Sequence, residues 1–147
     1  MSYEKLVTYC VLTGILSMDR VSIKKKIMDS SEAIVYLMKL PDIKEYLEAF
    51  YNCRYKDFFK VFVSIIELVR NDPFMCTHIK FFIRETRVVI YAQFLESYKT
   101  VKLQSMANEF GVSVDFIDRE LSELISVRRL PCKIDKVAGI IETDPSD

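Results

Sequence analysis

One histidine and many carboxylates are the residues of this sequence that could carry acid and base chemistry. His78 is the single histidine, and no obvious nucleophile lies close to it in the sequence. An exposed or locally hydrogen-bonded side chain near a helix start is therefore the simpler interpretation. Glu45 and Glu48 have the spacing of a solvated helical face, and Glu85 with its arginine neighbours indicates an ion-pair cluster. Because nothing selects one carboxylate pair as acid and base, the sequence predicts no catalytic residue.

The cysteines and glycines do not form a catalytic or metal-binding motif either. The sequence has no glycine-rich phosphate loop, no His-x-x-x-His pair and no Gly-x-Ser-x-Gly turn. Cys10, Cys53, Cys76 and Cys132 lack the Cys-x-x-Cys spacing of zinc and redox sites. We expect buried thiols in a reducing compartment; a disulfide framework is the alternative, although a chain this apolar does not need one. The chain is accordingly predicted to be no enzyme and to have no metal or cofactor.

The composition predicts a compact, mostly helical chain. Half of the 147 residues are apolar, 12% are aromatic, and only three glycines and four prolines are available for turns. Lysine plus arginine and aspartate plus glutamate both total 21, so net charge recruits neither nucleic acid nor an anionic membrane. The longest uncharged stretch, residues 6–18, is shorter than the roughly 20 apolar residues of a membrane span, and we interpret it as a buried helix. Nothing in the sequence suggests secretion.

The first half of the chain is predicted to be a stack of short helices. Apolar periodicity indicates helices over residues 5–17 and 55–70, a helix capped by Ser30 or Ser31, and another that begins at Pro41. The basic segment 22–28 is most simply a solvated helix face. The succession resembles a helical-repeat stack, although no clean internal period is present.

The second half begins at a break over residues 71–73, and its character changes after a long helix. A long helix is predicted over residues 77–98, followed by a helix-turn-helix made of residues 103–110, the cap Gly111, and a helix that Ser113 begins. Beyond Arg129 the apolar period shifts toward two, which indicates a β-hairpin. The predicted fold class is therefore mainly α: a helical-repeat-like stack joined by a long helix to a C-terminal winged helix with a small hairpin wing. The predicted subdomains are residues 1–75 and 76–147.

A winged helix either reads DNA or docks proteins, and charge distinguishes the two roles. The second helix of the helix-turn-helix would repel phosphates, because it carries four carboxylates and one arginine. The acidic residues are Asp115, Asp118, Glu120 and Glu123, and the basic residue is Arg119. A small basic patch around the wing is more simply a solvated rim; it contains Arg128, Arg129, Lys133 and Lys136. Nucleic-acid binding therefore stays a minor alternative.

The terminal hairpin favours protein interaction, since an unpaired strand edge is a template for a neighbour's strand. The candidate interaction residues lie on its two strands: Cys132, Lys133, Ile134, Ile140, Ile141 and Glu142. The alternative is that the hairpin only closes a small core.

Several stretches, spread along nearly the whole chain, carry a family resemblance. They are Leu6-Val7-Thr8-Tyr9, Leu40-Pro41, Tyr46-Leu47, Tyr51, Cys53-Arg54-Tyr55, Arg84-Glu85, Arg87, Gln93, Leu95-Glu96-Ser97-Tyr98, Met106-Ala107, Phe110-Gly111-Val112, Phe116-Ile117-Asp118, and residues 132–137 and 139–143. With the order of helical stack, long helix and winged helix, they resemble the PCI domain family, whose members occur in the proteasome lid, the COP9 signalosome and the translation initiation factor three complex.

The stretches Leu-Glu-Ser-Tyr and Cys-Lys-Ile-Asp-Lys-Val resemble the proteasome-lid members more than the signalosome member. This resemblance implies a non-catalytic scaffold subunit of the proteasome regulatory-particle lid, which serves ubiquitin-dependent protein degradation. It implies other PCI subunits as partners, no small-molecule substrate, and a cytoplasmic and nuclear location. A signalosome PCI subunit and a nucleic-acid-binding winged helix are the alternatives. Family members are longer on both sides, so we expect this chain to be one domain of a longer protein.

Overall fold

The computed structural model describes residues 3–17, 22, 25 and 29–143 of the chain. The predicted basic helix over residues 22–28 lies almost entirely outside the described residues. The chain divides into two compact units, Met1–Thr86 and Arg87–Asp147. The predicted subdomain limits of residues 1–75 and 76–147 stay a prediction.

Four helices of the first unit follow the predicted order. They are α1 (Tyr3–Ser17), α2 (Ser31–Leu37), α3 (Pro41–Tyr51) and α4 (Tyr55–Arg70). The Ser30 hydroxyl caps α2 by accepting a hydrogen bond from the backbone N–H of Ala33 at 3.3 Å. Pro41 occupies the first turn of α3, where its missing N–H costs nothing. The local signals in the sequence therefore define these helix starts.

Aromatic rings hold α3 and α4 together. Tyr46 and Phe58 are both fully buried, and their rings stack with centroids 4.6 Å apart. Phe62 lies 5.9 Å from Phe58 and 6.0 Å from Phe82, which extends the cluster along the unit. Such rings bury large apolar areas and add directional contacts, so they form the centre of this unit's core.

The helix α1 buries one broad face, not several. Val7, Val11 and Ile15 are buried, whereas Leu6 and Cys10 are exposed on the opposite side. The prediction that all four cysteines are buried holds only for Cys132. Cys10 lies on the exposed side of this helix, and Cys53 and Cys76 are half-buried. None of the four cysteines is disulfide-bonded.

A buried carboxylate organises the turn that follows α4. Asp72 Oδ2 accepts a hydrogen bond from the Tyr9 hydroxyl at 2.7 Å. Its Oδ1 accepts from the backbone N–H groups of Phe74 at 2.8 Å and Met75 at 3.0 Å. These bonds, that of Tyr9 foremost, lower the pKa of the Asp72 carboxyl group below its usual value because they favour the charged form. The predicted chain break at residues 71–73 is thus an ordered turn, which the hydrogen bond between Asp72 and Tyr9 connects to α1.

We expect replacement of Asp72 by Asn to reduce stability at neutral pH and to have less effect in acid. A carboxyl group with a lowered folded-state pKa stabilises the protein above its unfolded pKa of about 3.9, and that contribution is lost as the pH falls through the folded value. Thermal unfolding midpoints of wild type and Asp72→Asn should therefore converge as the pH drops below about 4. Tyr9→Phe should show the same trend. A difference in unfolding midpoint between wild type and either variant that does not change with pH would contradict this account.

The second unit contains the winged helix. Its elements after the long helix α5 (Ile79–Leu95) are β1 (Thr100–Lys102), α6 (Leu103–Phe110), α7 (Val114–Ser126), β2 (Cys132–Asp135) and β3 (Ile140–Thr143). Gly111 ends α6 with a left-handed φ of 70°, and the Ser113 hydroxyl caps α7 by accepting from Phe116 N at 3.1 Å. The predicted mainly α fold class with a C-terminal winged helix is confirmed.

The long helix is shorter than the predicted 77–98 at both ends. Residues Cys76–His78 form a separate 3₁₀ turn before it. At the other end, Tyr98 N donates to Leu95 O in a turn, and the chain then becomes extended to form β1. Residues 100–102 thus pair within the sheet instead of continuing the helix.

Apolar side chains from α5, α6 and α7 form the core of this unit. Phe110 lies edge-on to Tyr91 at 5.3 Å and to Phe94 at 5.6 Å between ring centroids. Ile117 and Leu121 of α7 are fully buried. The helix-turn-helix therefore packs around a core of its own. The sheet covers this core on another side.

Candidate protein-interaction edge of the three-stranded sheet

The wing is part of a three-stranded antiparallel sheet with strand order β1, β3, β2. Ile141 of β3 pairs with Val101 of β1 on one side and with Ile134 of β2 on the other. The strand β3 is therefore central, and β1 and β2 are the two edges of the sheet.

This arrangement corrects half of the predicted edge. Ile140, Ile141 and Glu142 belong to the central strand, because β1, which the sequence analysis did not predict, pairs with β3. Cys132, Lys133 and Ile134 do lie on an edge strand. Contact of any of these six residues with a partner stays a prediction.

The hydrogen-bond pattern shows which peptide groups of β2 point out of the sheet. Thr143 N donates to Lys99 O, and Leu103 N donates to Gly139 O, each at 2.9 Å. These two bonds lie two residues away from the Val101–Ile141 pair, one on each side of it. Because hydrogen-bonded and non-hydrogen-bonded pairs alternate along an antiparallel sheet, Val101–Ile141 is also a hydrogen-bonded pair, and Ile141 directs its peptide groups at β1. Its neighbours on β3 direct theirs at β2, where they meet Lys133 and Asp135. By the same alternation, the N–H and C=O of Ile134 point away from β3 toward the open edge.

The side chains of the sheet divide into an apolar inner face and a charged outer face. Ile141 and Val101 are buried and Ile134 is half-buried, so this cross-strand row covers the core. Lys133 and Asp135 are exposed and lie on the outer face at the β2 edge. A strand added at this edge would therefore contact the apolar side chain of Ile134, flanked by the oppositely charged side chains of Lys133 and Asp135.

The turn between β2 and β3 is held by Asp135. Its Oδ1 accepts hydrogen bonds from the backbone N–H groups of Val137 and Ala138, each at 3.1 Å. Gly139 N donates to Asp135 O at 2.8 Å, and Gly139 has a φ of 68° that favours glycine. The wing is thus a defined hairpin, and β2 is presented as a short, regular edge.

The acidic helix α7 uses part of its charge inside the second unit. Glu120 accepts a hydrogen bond from the Tyr91 hydroxyl at 2.9 Å, and its other carboxylate oxygen lies 2.9 Å from Arg87 Nη2. Burial, followed by the Glu120 charge, raises the pKa of the Tyr91 phenol, which therefore stays protonated as a donor. Glu123 and Asp115 are exposed on the outer surface of α7. Arg119 is exposed on the same helix, and repulsion of a phosphate backbone by α7 stays a prediction.

His78 meets no catalytic group among the residues that the structure describes. The histidine is exposed and lines an open groove of about 290 Å³ in the first unit. The other lining residues are apolar except Thr13, whose hydroxyl donates to Tyr9 O within its own helix. Among the residues that the structure describes, no carboxylate lines this groove, so none of them there can partner His78 in acid and base chemistry.

The described part of the chain has neither a metal-binding cluster nor a helix that could span a membrane. Residues 3–17, 22, 25 and 29–143 contain no group of three or more His, Cys, Asp or Glu side chains that could hold a metal ion. No helix within these residues is long and apolar enough to cross a membrane.

Comparison with known proteins identifies the family. Residues 65–145 match the PCI domain family. The chain is 48% identical over 145 residues to the 26S proteasome non-ATPase regulatory subunit 6 homolog of Arabidopsis thaliana, covering 99% of this chain and 38% of that protein. It is 37% identical over 150 residues to the 26S proteasome regulatory subunit RPN7 of Saccharomyces cerevisiae, covering 99% and 35%.

A signalosome protein is a more distant relative. COP9 signalosome complex subunit 1 of Arabidopsis thaliana is 26% identical over 144 residues, covering 98% of this chain and 33% of that protein. The chain thus spans little more than a third of the length of the proteasomal relatives. The sequence resemblance to PCI proteins, and to the proteasomal members among them, is confirmed. This chain belongs to the PCI domain family.

Proposed function

We propose that this chain is a non-catalytic scaffold module of the proteasome regulatory-particle lid, which docks a neighbouring PCI subunit through the open β2 edge. Its similarity to the proteasomal relatives supports the assignment to the lid. The observation that carries the docking site is the outward direction of the Ile134 peptide groups on an edge strand. By adding a strand there, a partner would continue the sheet.

Side chains around this edge suit a protein partner better than a nucleic acid. Lys133 and Asp135 give the edge both charge signs, and the half-buried Ile134 offers an apolar contact. The chain as a whole has no net charge, so it lacks the long-range attraction that phosphate binding uses. The proposed partners are other PCI subunits, and the proposed location is cytoplasmic and nuclear. In this proposal the module contributes contacts and no chemistry; the plant relative is named a non-ATPase subunit.

Replacing Ile134 by proline tests the docking edge directly. Proline removes the N–H that points out of the sheet, and proline is tolerated on edge strands whose N–H faces solvent. We expect recovery of co-purifying lid subunits with the tagged full-length protein to fall by about tenfold, because one strand hydrogen bond is lost and the ring obstructs the added strand. Quantitative mass spectrometry of the purified complex measures this.

Two control variants separate the edge from the fold. Ile134→Ala keeps the outward N–H and should retain most of the partners. Lys133→Pro removes an N–H that points at Glu142 inside the sheet, so it should destabilise the wing itself. If Ile134→Pro is folded by circular dichroism and still recovers the full set of partners, the β2 edge is not the docking site.

The same purification distinguishes the signalosome alternative, which the more distant relative keeps open. Recovery of lid subunits supports the proposal, whereas recovery of signalosome subunits alone would replace it. A titration of the chain with DNA or RNA at low salt should show no binding, because α7 is acidic.

A further inference from the structure

The edge strand β2 is complementary to itself when two copies run antiparallel. Its sequence reads Lys133-Ile134-Asp135, with a positive and a negative side chain on either side of an apolar residue. We propose that this edge also binds a second copy of the chain, with Ile134 facing Ile134 of the other copy across a twofold axis. Lys133 of each copy then lies opposite Asp135 of the other, and two opposite-charge pairs form.

The direction of the peptide groups agrees with this register. Ile134 points its N–H and C=O out of the sheet, so the Ile134 pair is a hydrogen-bonded one. The flanking Lys133–Asp135 pairs are then non-hydrogen-bonded pairs, in which opposing side chains approach most closely. Both side chains are exposed on the outer face. Asp135 uses Oδ1 for its two turn bonds, which leaves Oδ2 to accept from the lysine.

Charge favours the register centred on Ile134 over the adjacent register. A shift that places Ile134 opposite Cys132 keeps the hydrogen-bonding parity, but it brings Lys133 opposite Lys133 of the other copy. Like charges directly opposite each other destabilise a strand pair. The register centred on Ile134 is therefore the one that satisfies both peptide groups and charges.

The other edge of the sheet lacks this complementarity. By the same alternation, Thr100 and Lys102 of β1 point their peptide groups outward. Antiparallel self-pairing of β1 would place Lys102 opposite itself or opposite Thr100, and β1 contains no acidic residue. Self-association through the sheet is thus specific to β2.

This inference uses the same edge as the proposed function but does not depend on it. A short strand overlap gives a small interface, so we expect a weak and reversible dimer in the high micromolar to millimolar range. Binding of a second copy and binding of another PCI subunit exclude each other. Self-pairing would cover an exposed edge in chains that have no partner, which limits less specific edge-to-edge aggregation.

Paired charge reversals test the register. Lys133→Glu places Glu opposite Asp135 twice, and Asp135→Lys places Lys opposite Lys133 twice, so each variant alone should associate at least about tenfold more weakly than wild type. An equimolar mixture of the two variants restores both opposite-charge pairs and should form a 1:1 heterodimer. Sedimentation equilibrium of the 147-residue chain over a range of concentrations measures all of these states.

Lys102→Glu is the matched control, because it makes the same charge change on the β1 edge and should leave the dimer unchanged. Circular dichroism checks that Asp135→Lys still folds, since this variant loses the turn bonds; Lys133→Glu does not touch them. A wild-type chain that stays monomeric to millimolar concentration, or a mixture of variants that does not associate, overturns the proposal. Either result would leave docking of a PCI partner, measured by co-purification, untouched.

Discussion

Replacing Phe110 by alanine should cost about 3–5 kcal/mol of unfolding free energy, because it empties the centre of the winged-helix core. Phe110 is only 1% exposed and packs edge-on against the rings of Tyr91 and Phe94. Alanine leaves a cavity between α5 and α6 that these rings cannot fill without leaving their rotamers. Urea unfolding followed by circular dichroism measures the loss.

Phe116→Ala is the matched control for this prediction. Phe116 is also a phenylalanine of the helix-turn-helix, but it is 40% exposed on α7, and its removal should cost less than about 1 kcal/mol. Hydrogen exchange resolved along the chain should show the loss of protection for Phe110→Ala concentrated in Arg87–Asp147. Equal costs for the two substitutions would contradict the packing described.

Replacing Glu120 by alanine should destabilise the chain by about 3 kcal/mol, because a charge and a hydroxyl lose their shared partner. Arg87 and Glu120 have side chains only 17% and 15% exposed, and the hydroxyl-bearing Tyr91 is fully buried. Without the carboxylate, the Arg87 guanidinium stays largely excluded from water and poorly compensated. The expected loss of about 3 kcal/mol lies at the lower end of the range for breaking a buried ion pair, because both charged side chains retain some solvent contact.

Glu123→Ala provides the internal control on the same helix. Glu123 also approaches Arg87 Nη2, at 3.7 Å, but its side chain is 60% exposed. Its loss should cost at most about 0.5 kcal/mol, since solvent screens the pair. A double-mutant cycle with Glu120→Ala and Tyr91→Phe should show a coupling free energy clearly different from zero. Additive costs would mean that the 2.9 Å bond between these side chains contributes nothing.

Local sequence signals were sufficient for most helices of this chain. The predicted helices over residues 55–70 and 103–110 have the same bounds in the structure. Ser113 caps a helix as predicted, and of the two candidates Ser30 and Ser31 it is Ser30 that caps α2. A hydroxyl two or three residues before a free N–H needs no tertiary contact to act. The break at residues 71–73 was also visible, although its tie to Tyr9 was not, since it joins residues far apart in the sequence.

The strand β1 was the main element missed. Three residues are too short for an alternating pattern to be distinguished from the end of a helix, and only pairing with β3 makes them extended. The missed strand changed the candidate site, because it converted β3 from an edge into the centre of the sheet. Cys10 was misjudged for a similar reason: apolar residues around a helix do not tell which face the neighbouring helices cover.

Local patterns were enough to predict the order of the described helices, the acidic character of α7 and the alternation of Lys133, Ile134 and Asp135 along the wing. Each of these depends on residue type and short-range spacing alone. Which strand is the edge, and which peptide groups point out of it, could be known only from the folded chain. Strand order and pairing parity are set by contacts between distant segments, and residues 100–102 acquire their role only because they pair with residues 140–142.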